Sequence, residues 1–249
     1  MQASWIWQRF RPSWQREYEG KTQSYYSGAD DYAALNHRNK YLANKNLRLA
    51  MNYAVNREEY ILLTHNGLYQ ANQRYVLPQV RGVDGEYGTE YPLEAFPLQG
   101  DMDKAKEYLD TALSELGLSS ASDISLKLVV SDSDTSKKEA EVVANQWKNN
   151  LGINVDINMV PYATRNALLV PDSDEYDIIM SGWAPDYSDP YSYLELWYST
   201  SGYNYLITTV MNTISTSTLP RQLPVKSVWT TCSMQRRHSW KMAHWYRFS

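Results

Sequence analysis

The segment Ile124-Ser-Leu-Lys-Leu-Val-Val130, a helical stretch over residues 136–151 and the segment Ile153-Asn-Val-Asp-Ile-Asn-Met-Val160 together decide the fold of this chain. Apolar and polar residues alternate in the first and third segments, which is typical of strands. A strand, a helix and a second strand in this order predict a β-α-β unit with parallel strands and a right-handed crossover. The predicted fold class is therefore α/β.

Three helices are predicted upstream of this unit, over residues 46–55, 56–67 and 101–116. The first and the third carry apolar residues at helical spacing, which form one face toward a core. Glu58 and Glu59 lie in the first turn of the second helix, where the positive end of the helix dipole favours carboxylates. The residues predicted to cap or stop these helices are Asn56, Asp101 and Gly117.

The stretch over residues 70–100 differs from the helices on either side of it. Glycines and prolines are frequent there and hydrophobic periodicity is weak, which predicts a long irregular excursion. Long ordered loops usually belong to binding sites, so we expect this excursion to lie near one.

A short helix over residues 163–169 and a last strand, Tyr176-Asp-Ile-Ile-Met-Ser181, are predicted downstream of the unit. The strand leads directly into Gly182-Trp-Ala-Pro-Asp-Tyr-Ser-Asp-Pro190, a turn-rich stretch with a large aromatic side chain and two carboxylates. Ligands of α/β proteins gather at the carboxyl ends of strands, so this loop is the best candidate for a site. Asp189, which precedes Pro190, is expected to form the turn and not to contact a ligand.

The bulk composition favours a globular protein and excludes several classes. The chain has 249 residues, 43% of them apolar, which is typical of a globular protein. Its net charge of −4 would not attract the phosphates of a nucleic acid, so the composition gives no reason to expect a nucleic-acid partner. No apolar run approaches the ~20 residues of a membrane-spanning helix, and the N-terminus lacks the pattern of a secretory signal. The single cysteine, Cys232, excludes an intramolecular disulfide framework and a cysteine-based zinc cluster.

Tyrosine and tryptophan are unusually frequent, with 21 Tyr and 9 Trp against 3 Phe. Rings that carry a hydrogen-bonding group suit wet binding clefts, where one edge is buried and the other meets ligand or water. A tyrosine-rich core and surface is the alternative interpretation, with equal weight.

No catalytic, metal or cofactor site is predicted. Two catalytic carboxylates must face one another across a substrate, and the sequence offers no such pairing. There is no nucleophile elbow, no phosphate-cradling glycine loop and no histidine spacing suited to a metal. None of these arrangements is found among the carboxylates Glu58, Glu59, Asp186 and Asp189 or the histidines His37, His65, His238 and His244.

Four stretches in the same order resemble the family 5 extracellular solute-binding proteins, the oligopeptide- and dipeptide-binding receptors of ABC importers. Together they span residues 17–204, and this combination is far more specific than any one stretch. The stretches are Leu47-Arg-Leu-Ala-Met-Asn-Tyr-Ala-Val-Asn-Arg-Glu-Glu59, Asp103-Lys-Ala-Lys-Glu-Tyr-Leu109, Trp147-Lys-Asn-Asn-Leu-Gly-Ile153 and Tyr176-Asp-Ile-Ile-Met-Ser-Gly-Trp-Ala-Pro-Asp-Tyr187.

The resemblance implies a periplasmic-binding-protein-like fold of type II, cluster C, in which two lobes close on a peptide. This chain resembles the later part of such a receptor. Residues 1–36 would be the end of the first lobe and the hinge, residues 37–204 the second lobe, and residues 205–249 a tail. The parent receptor would lie outside the cytoplasm, in the periplasm or lipid-anchored at the outer face of the cell membrane, and would deliver oligopeptides to an ABC permease.

The resemblance also assigns a ligand-binding loop. Asp186 matches the acidic residue that pairs with the peptide's α-ammonium, and the backbone of Gly182, Trp183 and Ala184 would pair with the peptide main chain, with Tyr187 on the same loop. A carboxylate that becomes dry on closure needs a cation, and an ammonium offers it three donors. Main-chain pairing reads side chains weakly, so broad peptide specificity is expected.

Alternatives remain open for the site and for the function. Asp186 beside Pro185 is a turn former in the plainer interpretation, and Trp183 is a core residue. Relatives of the family bind oligosaccharides or metal chelates, and tyrosine and tryptophan faces stack well on sugars. A non-catalytic interaction protein that uses its basic tail is a further alternative.

Both ends of the chain differ in composition from the rest, and we predict that they are translated in a shifted reading frame. Residues 1–14 hold three tryptophans, and residues 205–249 are rich in Thr, Ser, Arg and Trp without sustained periodicity. Codons read from their third base allow family-like segments at both ends. On this interpretation the basic stretch 236–241 binds neither nucleic acid nor membrane, Cys232 has no redox meaning, and the tail lacks the family's return strand.

A product of this kind is expected to be truncated and impaired, because an incomplete first lobe exposes surface that is normally buried. Poor expression or aggregation is the expected behaviour. A cooperative thermal transition together with monodisperse behaviour of the purified chain would contradict this expectation.

Overall fold

A mixed sheet organises the chain in the computed structural model, which describes residues 26–92, 96–171, 173–197 and 201–204 and the backbone of 245–247. The strands are β1 (Asp30–Leu35), β2 (Ser125–Ser131), β3 (Asn154–Val160), β4 (Ile178–Trp183) and β5 (Trp245–Arg247). Their order across the sheet is β3-β2-β4-β1-β5.

The described residues contain the predicted helices in the predicted order, together with two short helices that were not predicted. The bounds are α1 (Lys45–Tyr53), α2 (Arg57–His65), α3 (Tyr87–Glu90), α4 (Met102–Leu116), α5 (Asp134–Leu151), α6 (Tyr162–Ala167) and α7 (Tyr191–Leu194), with short 3-10 turns at Ala121–Asp123 and Glu195–Trp197. The unpredicted helices are α3, which lies in the irregular excursion, and α7, which follows β4.

Local hydrogen bonds explain why the helix ends were predictable. The Asn56 side chain accepts from Glu59 N at 3.0 Å, and the Asp101 side chain accepts from Lys104 N at 3.1 Å. Gly117 ends α4 in the left-handed conformation, with φ of 66°, which a residue without a Cβ adopts at little cost. The predictions for α1, α2 and α4 are confirmed. α5 begins two residues before its predicted start.

The predicted β-α-β unit is confirmed. β2 and β3 are parallel in the register Ser125↔Asn154 to Ser131↔Val160, with α5 between them. β2 is also parallel to β4, but only at Leu128↔Ile178 and Val129↔Ile179. The carboxyl ends of β2, β3 and β4 therefore share one edge of the sheet, which we call the carboxyl edge.

β1 is a strand that the sequence analysis missed. It runs antiparallel to β4 from Asp30↔Trp183 to Leu35↔Ile178, and its apolar residues are buried on both faces of the sheet. A strand buried on both faces lacks an alternating pattern, so periodicity does not reveal it. β1 therefore belongs to the same sheet as β2, β3 and β4. The proposed boundary at residue 36, between the hinge and the second lobe, stays a prediction.

Two expectations about strand limits were wrong. β4 runs over Ile178–Trp183 and not over 176–181, because pairing with β1 extends the strand through Gly182 and Trp183. The tail was expected to lack a return strand, but β5 pairs antiparallel with β1. The shifted-frame segments at residues 1–14 and over the rest of the tail lie outside the described residues.

Two apolar cores cover the two faces of the sheet. The first core packs α1, α2, α4 and α5 against one face, with Trp147 fully buried in it. The second core packs the excursion, α7 and the following 3-10 turn against the other face. No helix in the described ranges has both the length and the apolar character needed to cross a membrane.

Several of the tyrosine side chains are buried in the second core. Tyr32, Tyr75 and Trp197 meet edge to face, with ring centroids 5.7 to 6.1 Å apart, and Tyr75 also meets Tyr193 at 6.1 Å. The core interpretation of the aromatic composition is confirmed for this cluster and for other buried rings. Among the residues that the structure describes, the buried tyrosines are Tyr32, Tyr60, Tyr75, Tyr87, Tyr176 and Tyr193.

Candidate functional site

All five residues of the predicted ligand loop lie together at the carboxyl edge. Gly182 and Trp183 are the last residues of β4, and Ala184, Asp186 and Tyr187 follow in the loop before α7. Trp183 is half-buried and the other four are exposed. The structure therefore presents this loop to solvent, while the strand beneath it is buried.

Hydrogen bonds inside the loop give it a defined shape. The single Ser192 hydroxyl proton is shared between the backbone oxygens of Tyr187 and Asp189, which lie 2.9 and 2.7 Å from Ser192 Oγ. One Asp189 carboxylate oxygen accepts from Tyr191 N at 2.7 Å, which is the hydrogen bond of a turn-forming aspartate. The prediction that Asp189 forms the turn is confirmed.

Trp183 joins the core to the loop. Its indole N–H donates to the Ser192 backbone oxygen at 2.8 Å, and its ring meets the exposed Tyr203 edge to face at 5.5 Å. The side chain is packed against the second core but is not fully buried. Trp183 therefore fixes the loop to the sheet and also contributes to the surface of the loop.

Asp186 differs from Asp189 in its contacts. Among the described residues the Asp186 carboxylate makes no hydrogen bond or ion pair, although a turn-forming aspartate would accept from a nearby backbone N–H. The plainer interpretation of Asp186 as a turn former thus has no supporting contact. The carboxylate stands exposed on the loop.

The loop has a negative electrostatic environment. Partial burial, followed by the neighbouring carboxylates of Asp186 and Asp189, raises the pKa of Glu195 above its usual value. Burial also raises the pKa of Tyr187 to about 12, with Glu195 the next largest cause. Burial disfavours charge of either sign, whereas the contributions of the neighbouring carboxylates to both shifts favour a cation beside these side chains.

The irregular excursion contacts the loop directly. The backbone N–H of Arg81 donates to the Ser188 hydroxyl oxygen at 3.0 Å. The turn that follows is closed by Glu90, whose carboxylate accepts from the backbone N–H groups of residues 83–85 at 2.5 to 2.8 Å. These bonds lower the pKa of Glu90. The prediction that the excursion lies near the candidate site is confirmed, since it braces the loop.

Gly88 provides a test of this brace. Its N–H donates to the Pro78 oxygen at 2.7 Å, and an added Cβ would overlap the Pro78 ring and lie 2.8 Å from Pro78 Cα. Because this neighbour is backbone, it cannot rotate away. Gly88→Ala is expected to lower the free energy of unfolding by about 2 kcal/mol, measured by urea denaturation.

Gly117→Ala is the matched control for strain without overlap, since nothing lies within 4 Å of a Cβ there, although its φ is positive. We expect it to cost about 1 kcal/mol. Faster hydrogen exchange of the amides of residues 186–189 in Gly88→Ala, and not in Gly117→Ala, would show that the brace holds the loop. Equal exchange in both variants would contradict it.

Asp31 is a residue of this edge that the sequence analysis missed. A Cβ on Gly182 would overlap Asp31 Oδ1 and would lie 3.1 Å from the Asp30 backbone oxygen. The absence of a side chain at Gly182 therefore lets β1 and β4 carry the Asp31 carboxylate next to the loop. No local sequence pattern indicates β1 or the contact between Gly182 and Asp31.

Among the described residues, no group of three or more histidine, cysteine or acidic side chains is arranged so that it could hold a metal ion. Glu58 and Glu59 accept from the amides of Gln99 and Gln146, at 3.1 and 3.0 Å, and do not face each other across a cleft. Cys232, His238 and His244 lie outside the described residues.

Comparison with known proteins places this geometry in a family. Residues 2–205 match the family profile described as bacterial extracellular solute-binding proteins, family 5 Middle. The oligopeptide-binding protein OppA of Bacillus subtilis is 32% identical over 166 residues, which are 66% of this chain and 29% of that protein. The dipeptide-binding protein of Lactococcus lactis is 31% identical over 166 residues, with the same coverage.

Solved structures share the fold. A peptide-binding protein of a peptide ABC transporter has a TM-score of 0.74 at 24% identity, and the match covers 88% of this chain and 97% of that one. The substrate-binding domain of an oligopeptide ABC transporter from Bacillus anthracis has a TM-score of 0.79 at 21% identity, over 94% and 46%. The fold is thus the type II periplasmic-binding-protein fold, and the chain spans less than a third of the curated relatives named above.

Proposed function

We propose the function of this chain from one premise: it belongs to the bacterial extracellular solute-binding proteins of family 5. On that premise it is part of a receptor that captures oligopeptides outside the cytoplasm and passes them to an ABC permease. It is a binding protein and not an enzyme. The names of its relatives, which include periplasmic and oligopeptide-binding proteins, support this proposal.

The exposed Asp186 carboxylate is the observation that carries the proposal. It stands at the carboxyl edge, beside Asp189 and Glu195, in surroundings that disfavour further negative charge. A peptide's α-ammonium offers three N–H donors and one positive charge, which suits such a position. Tyr187, whose phenol is protonated at neutral pH as tyrosines ordinarily are, is a neutral hydrogen-bonding neighbour, and burial raises its pKa further, to about 12.

The backbone of β4 supplies a second point of attachment. β2 pairs with β4 only as far as Val129↔Ile179, whereas β4 continues to Trp183. In the described part of the chain no strand pairs with Gly182 and Trp183 on the side that faces β2. An extended peptide would add there as a short strand, and main-chain pairing explains how one receptor accepts many side-chain sequences.

The larger assembly follows from the same premise. Residues 37–204 would form the second lobe, and a first lobe would close over the peptide and exclude water. Closure would exclude water from around the Asp186 carboxylate. The lower local dielectric would strengthen the attraction between this carboxylate and the ammonium. The permease partner and the location outside the cytoplasm belong to the whole receptor.

Asp186→Asn tests the proposal. The amide keeps the shape but removes the charge, so we expect affinity for trialanine to fall at least about tenfold, because a charge-assisted hydrogen bond is lost. N-acetyltrialanine lacks the ammonium, so it should bind the unmodified chain as weakly as trialanine binds the Asp186→Asn variant. Chemical-shift titration by NMR detects the weak binding that a single lobe would show.

Asp110→Asn, which removes an exposed carboxylate from α4, is the matched control and should bind trialanine like the unmodified chain. Equal affinity of the Asp186 and Asp110 variants would contradict the ammonium pairing. Titration with maltotriose in place of the peptide examines the sugar-binding alternative. Saturable shifts at residues 182–187 with the sugar alone would overturn the peptide proposal.

A further inference from the structure

The dipeptide Asn66-Gly67 ends α2 in an unusual backbone conformation. Both residues are left-handed, with φ of 52° and 71°, and Asn66 is the one non-glycine residue in the described ranges with a positive φ. The N–H groups of both residues donate to the Ile61 backbone oxygen, that of Gly67 at 3.2 Å. These bonds close the last turn of the helix, and asparagine tolerates such a position better than most residues do.

The same dipeptide holds the reactants of a spontaneous modification. It is the single Asn-Gly pair in the chain. A backbone nitrogen can attack the side-chain amide carbon of an asparagine that precedes it, and glycine, which has no Cβ, leaves the path to that nitrogen open. Asn66 is exposed, and its side chain makes no hydrogen bond to any residue that the structure describes. The amide is therefore accessible to water and free to turn.

The closed end of α2 prevents this attack. Ring closure needs the Gly67 nitrogen on the same side of the Cα–C bond as the Asn66 Cβ. At ψ of 30° the nitrogen lies on the opposite side, and its N–H is engaged with Ile61. The peptide group between the two residues must therefore turn over and release Ile61 before the reaction starts. Helix ends open locally at low cost, so this release needs no unfolding of the core.

We propose that Asn66 is a self-modification site whose reaction is gated by the end of α2. In the open state the Gly67 nitrogen forms a bond to Asn66 Cγ, the bond from Cγ to the side-chain nitrogen breaks, and that nitrogen leaves as ammonia with the Gly67 proton. Water then opens the resulting succinimide ring at either carbonyl carbon. One opening gives aspartate, and the other gives isoaspartate, in which the main chain runs through the former side chain. Water is the co-reactant, and no electrons are transferred.

Isoaspartate cannot restore the closed helix end, because its main chain is longer by one carbon. The contacts next to it join α2 to its surroundings. His65 Nε2 lies 3.0 Å from Glu139 Oε1 of α5, and the His65 ring meets the exposed Tyr69 ring at 4.4 Å, on the chain that leads into the excursion. The new carboxylate also opposes the negative end of the helix dipole. The modification therefore loosens this junction in one direction only.

Incubation of the chain in neutral buffer, with and without denaturing guanidinium chloride, tests the site and its gate. Peptide mapping by mass spectrometry with electron-transfer fragmentation measures the conversion of Asn66 and separates aspartate from isoaspartate. We expect conversion in both samples, at least about tenfold slower in the native one, because only the open fraction reacts. Asn149, an exposed asparagine of α5 that precedes Asn150 and not a glycine, should convert at least about tenfold more slowly than Asn66 in the denatured sample.

Glu139→Ala tests the gate without touching the reacting groups. Loss of the contact with His65 should speed the native conversion of Asn66 about threefold or more and leave the rate in guanidinium chloride unchanged. Glu141→Ala is the matched control on the same helix. It removes a half-exposed carboxylate that lies 3.9 Å from Lys137, and it should change neither rate. Far-ultraviolet circular dichroism of the native samples checks that the compared chains are folded.

Gly67→Ala tests the attack itself. In guanidinium chloride, where the helix end is absent, the added Cβ crowds the nitrogen and should slow the conversion of Asn66 at least about tenfold. The site is overturned if Asn66 stays unconverted in the denatured chain or if Asn149 converts as fast. The gate is overturned if a folded chain converts as fast as the denatured one, or if Glu139→Ala and Glu141→Ala act alike. Peptide binding takes no part in these measurements, so the proposed function stands apart from their outcome.

Discussion

Trp147→Ala is expected to lower the free energy of unfolding of this chain by about 4 kcal/mol, the largest effect that we predict for a single substitution. Trp147 is fully buried in the first core, and its indole N–H donates to the Met51 oxygen in α1 at 3.1 Å. Truncation removes a large apolar surface, leaves a cavity between α5 and α1, and deprives a buried carbonyl of its donor. Urea denaturation followed by far-ultraviolet circular dichroism measures the loss.

Two companion variants divide this effect into its parts. Trp147→Phe keeps most of the ring but loses the hydrogen bond, so about 2 kcal/mol is expected. Tyr69→Ala removes an aromatic side chain that is 58% exposed and should cost less than about 0.5 kcal/mol. Similar losses for Trp147→Ala and Tyr69→Ala would mean that Trp147 does not organise the core.

Arg57→Ala is expected to cost about 3 kcal/mol, because it removes the centre of a buried polar network. Arg57 is 1% exposed, and its guanidinium donates to the Asn52 side-chain oxygen and, at 3.2 Å, to the Val55 oxygen. It also lies 5.7 Å from the Phe96 ring centroid. Without it, the Asn52 side-chain oxygen and the Val55 oxygen each lose one donor inside the protein.

Urea denaturation also measures the effect of Arg57→Ala, and two other variants serve for comparison. Arg57→Met fills the volume without the donors and should cost about 2 kcal/mol, which separates packing from hydrogen bonding. Lys106→Ala, an exposed cation on α4, should change stability by less than about 0.5 kcal/mol. A loss for Arg57→Ala no greater than for Lys106→Ala would show that the network contributes nothing to stability.

The helices were predictable because their limits depend on neighbours in the chain. Asn56 and Asp101 cap with side chains that reach only three residues ahead, and Gly117 stops α4 through its own backbone conformation. The limits of β4 depend instead on β1, about 150 residues away in the chain. For that reason the strand was placed correctly in order but two residues too early.

The candidate site shows the same division. The loop from Gly182 to Tyr187 was identified from its sequence, since a strand that ends in a turn-rich aromatic and acidic stretch is a local pattern. Its surroundings were not. Arg81 reaches Ser188 across 107 positions, and Arg165 reaches Met180 through a side chain whose direction only the packed helix defines.

The amino-acid sequence by itself thus determined the α/β class, the β-α-β unit, the capped helices and the family resemblance, all of which reside in contiguous segments. The tertiary structure alone decided the position of β1, the use of tyrosine in a second core, and the union of Asp31, Asp186 and Arg165 at one edge. Periodicity and capping are properties of neighbours along the chain, whereas strand pairing and side-chain convergence depend on contacts between distant residues. Local patterns can be recognised in a single sequence, whereas contacts between distant residues become visible only in the folded structure.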